Sequence, residues 1–121
     1  MDLFAPTIRP DAFQSSGIRI SPVMGDNMEP TLRQHSDYVV CRPVSSYEGE
    51  GLYLADFAGY GFPQVHRVSS DLCGGLKLAN DNPHYRDCSV SREKFEAAVL
   101  AKVVADVKVR DHRALAELAG G

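Results

Sequence analysis

The chain has 121 residues, enough for one domain with a buried core. Apolar residues make up 44% and charged residues 24%, the balance of a soluble globular protein and not of a disordered or fibrous one. A net charge of −3 argues against a basic nucleic-acid grip, so no nucleic-acid contact by this domain itself is expected.

Cys41, Cys73 and Cys88 are odd in number and lack a C-x-x-C spacing, the pattern of reduced thiols in a cytoplasmic protein. Cys73, His84 and Cys88 are residue types that zinc accepts, but their spacing is irregular. No metal and no other cofactor is expected. No apolar run approaches the ~20 residues of a membrane span. The first ten residues lack the basic start and apolar centre of a signal peptide. The expectation is a soluble, cytoplasmic chain without membrane contact.

Residues 1–17 carry Pro6 and Pro10 and no sustained period, which predicts an extended N-terminal arm. From Ile18 onward the signals are β. Ile18-Arg19-Ile20 alternates and stops at Pro22. Asp37 to Arg42 is β-branched and aromatic, closed by Pro43. Leu52 to Phe57 alternates again, and the turn residues Gly59-Tyr60-Gly61 precede Gln64 to Val68, a hairpin return. Gly74-Gly75 is another turn before Leu76-Lys77-Leu78. Asn80-Asp81-Asn82-Pro83 is loop chemistry, with side chains that bond their own backbone.

The longest regular element runs from Val99 to Val109. Its odd positions are all apolar, while Leu100 and Val104 interrupt an otherwise polar second face. Period two over that length predicts a long strand whose second face is partly covered by another sheet or another chain. Helix is scarce: one turn at Glu29–Arg33 with Pro30 near its start, one turn at 91–97, and a short helix over Asp111–Leu118. The last is N-capped by Asp111, stopped by Gly120-Gly121, and carries Leu115 and Leu118 for docking. The class is mainly β.

Residues 25–32 read Gly25-Asp26-Asn27-Met28-Glu29-Pro30-Thr31-Leu32. With Ser at position 27 the run would be G-D-S-M-E-P-T-L, the nucleophile motif of LexA-type self-cleaving repressors. Further segments follow in the family's order. Ser36 to Val40 stands where those domains have Gly-Asp and an apolar strand, and Gly51 to Leu54 matches the next strand. Val65-His66-Arg67-Val68 stands where a V-K-R-V-like strand delivers the catalytic lysine. Leu76 to Tyr85 matches a strand leading into an S-D-N-P-x-Y loop, and Val99 to Val107 resembles the closing strand. The chain resembles the LexA/UmuD/phage-repressor serine–lysine peptidase family over about residues 18–109. Signal peptidases share a similar S-M-E-P-T core but need a membrane anchor.

The resemblance implies a LexA/signal-peptidase-like β-clip fold of twisted antiparallel sheets with few short helices. It divides the chain into the arm (1–17), a peptidase-like domain (18–110) and a C-terminal helix or tail (111–121). In the family a serine attacks a peptide carbonyl while a lysine kept neutral by burial takes its proton, and backbone N–H groups stabilise the oxyanion. Here those two positions are Asn27 and His66. Asn27 has no hydroxyl or thiol for a base to activate, so no catalytic residue is expected, and a structural Asn27–His66 hydrogen bond is expected to fill the old dyad space. His66 is of a type able to act as a base, but a substitute thiol would have to sit beside it. The family's cleaved bond, often Ala-Gly, lies upstream of the serine. The Ala-Gly pairs here, Ala58-Gly59 and Ala119-Gly120, both lie downstream of Asn27.

Met28 is expected in the core, Asp81 and Asn82 as holders of their own loop, and His35, His112 and the run Arg110 to Arg113 in solvent. The resemblance implies a role in association: a homodimer serving a phage-repressor-like transcription regulator. A stand-alone, antirepressor-like protein that binds a repressor is the alternative, with a divergent peptidase using His66 behind it. No helix-turn-helix fits in residues 1–17, so DNA binding would reside in another part of a longer chain.

Overall fold

The computed structural model describes residues 17–57 and 61–118. Apart from Gly17, the N-terminal arm lies outside the described residues, as do the two Ala-Gly pairs and the Gly120-Gly121 stop. Seven strands form one sheet: β1 (Arg19–Pro22), β2 (Asp37–Pro43), β3 (Gly51–Ala55), β4 (Gln64–Ser70), β5 (Gly75–Ala79), β6 (Cys88–Ser91) and β7 (Val99–Lys108). Among the described residues two short helices, α1 (Arg92–Ala98) and α2 (His112–Leu118), flank β7 in sequence. The sheet order is β1-β2-β7-β3-β4-β5-β6, and every neighbouring pair is antiparallel. The mainly β reading holds.

The long strand became an interior strand of the sheet, between β2 and β3. β7 pairs along β2 from Lys108 to Ala101 and along β3 from Lys102 to Val99, with a register shift in each pairing, at Val40/Cys41 and at Leu54/Ala55. Such bulges bend a strand and let it serve two neighbours at different angles.

Strand alternation divides the core in two. Leu54 and Val65 join Val23, Met28, Leu32, Val39, Cys41 and Ala101 in one cluster, and Tyr53 and Val68 join Leu76, Leu78, Phe95 and Val99 in another. Adjacent residues of β3 thus point to opposite faces, as the pleat requires. Tyr53 is fully buried, yet its hydroxyl accepts from the Glu48 N–H at 2.8 Å and donates to the Gly49 carbonyl at 2.6 Å. Phe95 meets its ring edge-on at a centroid distance of 5.3 Å.

Four expectations need correcting. Glu29–Arg33 forms hydrogen-bonded turns and no helix: Glu29 N–H donates to Asp26 O at 3.1 Å and Leu32 N–H to Met28 O at 2.9 Å. Residues 88–98 are more regular than the sequence implied. Cys88–Ser91 pairs with β5 as an edge strand, and α1 starts where the Ser91 hydroxyl accepts the Lys94 N–H at 3.1 Å. α2 does form behind its Asp111 cap, whose carboxylate accepts the Ala114 N–H at 2.9 Å, but it buries no residue, so Leu115 and Leu118 do not dock. Finally, no other sheet covers the second face of β7 among the described residues: Leu100 is 45% and Val104 52% exposed.

Candidate functional site

The Gly25–Leu32 turn is tied down at both ends. Met28 and Leu32 are buried in the core, Met28 as expected. Gly25 has a left-handed φ of +79°, and a Cβ there would come within 2.5 Å of the Gln64 amide, so this turn needs glycine. Asn82 clamps the turn from outside. Its backbone N–H donates to Asn27 O at 3.0 Å and its side-chain amide to Asp26 O at 2.9 Å, while its own oxygen accepts the His84 N–H at 3.0 Å. Asn82 therefore does more than hold its own loop.

Asp81 departs from expectation as well. Instead of bonding its own backbone it takes a bidentate pair from Arg67 (2.9 and 2.8 Å) and a 2.5 Å bond from the Thr31 hydroxyl. The Arg67 guanidinium, helped by Thr31 against partial burial, holds the Asp81 carboxyl below the usual carboxylate range. Together Asn82 and Asp81 fasten the 80–85 loop to the Asn27 turn. Tyr85 adds a short hydrogen bond from its hydroxyl to the Asp26 carboxylate.

Asn27 is buried, and its amide is committed. Nδ2 donates to the Val65 carbonyl at 2.7 Å and to Asn80 Oδ1 at 3.0 Å, and Asn80 in turn donates to the Arg86 carbonyl at 3.0 Å. The expected Asn27–His66 bond does not form. The amide reaches the backbone beside His66 and not the ring itself.

His66 sits on β4 opposite Tyr53 and is 8% exposed. Neither ring nitrogen has a hydrogen-bond partner among the described residues. The Phe57 ring meets it edge-on at 5.7 Å. Burial holds the imidazole below the ordinary histidine range; Asn80 alongside opposes that shift but makes no bond of proper geometry. At neutral pH the ring is uncharged, one nitrogen a donor and the other an acceptor.

Asn27 and His66, far apart in sequence, thus line one cleft of about 190 Å³, together with Gln64, Asn80, Arg86 and Cys88. Gln64, Asn80, Arg86 and Cys88 carried no local sequence signal for this. Asn80 stood out only as loop chemistry, Arg86 lies in the loop between β5 and β6, and Gln64 and Cys88 reach the cleft through strand pairing. Cys41 is buried in the core, where desolvation pushes its thiol up to about 11, while Cys73 and Cys88 are exposed. Among the described residues no group of three or more His, Cys, Asp or Glu is gathered closely enough to hold a metal ion. His35 and His112 are exposed, and no described helix is long and apolar enough to cross a membrane.

The cleft offers an uncharged imidazole and several amides, with no hydroxyl or thiol among the described residues hydrogen-bonded to that imidazole. No curated protein matches the chain. A family model described as Peptidase S24-like matches residues 7–104. That span takes in the Asn27 turn, β4 with His66 and the loop that clamps them, and over it the chain belongs to the Peptidase S24-like family.

Proposed function

We propose that this chain is a catalytically inactive member of its family whose remaining role is association, as the dimerisation domain of a repressor-like transcription regulator. The observation that carries the reading is the Asn27 amide, held at 2.7 Å from the Val65 carbonyl and 3.0 Å from Asn80 at the position where the family resemblance puts the nucleophile. A carboxamide there gives a base nothing to activate. Among the described residues no hydroxyl or thiol is hydrogen-bonded to His66 at the base position. Leu100 and Val104, exposed on an interior strand, support association through β7.

Asn27→Ser combined with His66→Lys tests the catalytic half. The double variant is expected to cut an added Ala-Gly peptide slowly, while the unaltered chain and either single variant leave it intact. Cleavage by the unaltered chain, lost on His66→Ala, would instead establish a divergent peptidase. Binding to a foreign repressor by a chain that stays monomeric would establish the antirepressor-like alternative.

A further inference from the structure

The cleft beside Asn27 and His66 also holds a thiol. Cys88 opens β6, opposite Leu78 of β5, and is exposed on the same cleft. Its surroundings set it apart from the other two cysteines. Arg86, two residues earlier, lines the cleft as well, is exposed, and enters no ion pair among the described residues. The neighbouring Asp87 carboxylate is offset by Lys77 at 3.5 Å and by the Asn80 N–H at 3.1 Å. Cys73, by contrast, has its own backbone N–H bonded at 2.7 Å to the Asp71 carboxylate, which brings negative charge to its side. Cys41 is sealed in the core.

A second observation comes from the wall of the cleft. His66 is more than nine-tenths buried and keeps two ring nitrogens without a partner among the described residues. A buried polar group left unpaired is costly, so a polar group that reaches the ring from the cleft gains by pairing with it. The space of about 190 Å³ accommodates a small organic fragment.

We propose that Cys88 is a modification site that takes up a small, negatively charged organic disulfide as a mixed disulfide, with the transferred half lodged in the cleft. The Cys88 thiolate sulfur attacks one sulfur of the incoming disulfide. That S–S bond breaks, a new one forms to Cys88, and the other half leaves as a thiolate; the Cys88 proton passes to water. The disulfide itself is the oxidant. Arg86 draws the anion in, and His66 and Gln64 meet the polar part of the bound half. This proposal rests on the geometry of the cleft and is independent of whether the family's catalysis is lost.

The test uses the full, reduced chain with two probes, the dianionic aromatic disulfide dithiobis(nitrobenzoate) and the uncharged hydroxyethyl disulfide, and maps labelled peptides by mass spectrometry. With the anionic probe Cys88 is expected to react before Cys73, and Cys41 to stay unlabelled while the chain is folded. Arg86→Glu is expected to slow labelling of Cys88 roughly tenfold at low salt, in line with electrostatic steering, and added salt to narrow that difference. Arg86→Gln should fall between, and the uncharged probe should not distinguish the three proteins. Labelling at Cys88 should also move the ring NMR signals of His66. Cys73 reacting first, a rate indifferent to residue 86, or unmoved His66 signals in the Cys88-labelled protein would each overturn the proposal.

Discussion

The Asn27 amide donates at once to a strand carbonyl and to a loop side chain, which makes it a fastener between β4 and the 80–85 loop. Asn27→Ala removes both bonds from a buried position and should cost about 1–3 kcal/mol, read as a lower urea midpoint with an unchanged slope. His66 gives a pH-dependent counterpart. Burial lowers its folded-state pKa from an ordinary value of 6.5, so the unfolded chain binds a proton that the folded chain refuses. Stability is therefore fully present above pH 6.5 and falls as pH drops from there toward the folded value, by at most about 1.4 kcal/mol per pH unit for one proton. His66→Phe should flatten that part of the stability–pH curve. Asp37 and Asp81 have lowered values too, against an ordinary 3.8, so their losses come at lower pH and do not mask the histidine.

Among the elements, α1 and α2 have the same length and opposite energetic weight. α1 inserts Phe95, which is fully buried against Tyr53, whereas α2 buries nothing. Phe95→Ala should cost about 3–5 kcal/mol of global stability because it opens a cavity in a packed cluster. Asp111→Ala should remove about 1 kcal/mol of capping from α2 alone, lowering helical circular dichroism without moving the global urea midpoint. This contrast marks where the sequence was legible. β3 and β7 declared themselves through alternating apolar residues, β2 through β-branched and aromatic ones, β4 as a hairpin return, and Asp111 through its capping position. β6 did not: Cys-Ser-Val-Ser has one aliphatic residue and becomes a strand only because β5 offers an open edge. The Asn27 segment stood out through its likeness to the family's nucleophile motif, while the hydrogen-bonded turns it forms were not foreseen. The Asn27–Val65, Asn82–Asp26 and Arg67–Asp81 links that shape the cleft join distant segments, and no local pattern encodes them.

At the scale of the whole molecule, one sheet has its long strand in the interior and, among the described residues, apolar side chains standing uncovered upon it. Leu100 and Val104 lie on β7 with Ile20 nearby on the edge strand β1, 64% exposed. A polar protein surface gains little from such residues unless another surface covers them. If two copies meet there, Leu100→Glu with Val104→Glu buries charge in the interface and should yield a folded monomer, since neither side chain belongs to either core cluster. The most direct measurement is the solution mass of the unaltered chain by light scattering over a dilution series. Association through β7 predicts a species of about twice 13.2 kDa that persists on dilution and is halved in the double variant. A mass of 13.2 kDa at every concentration would contradict it.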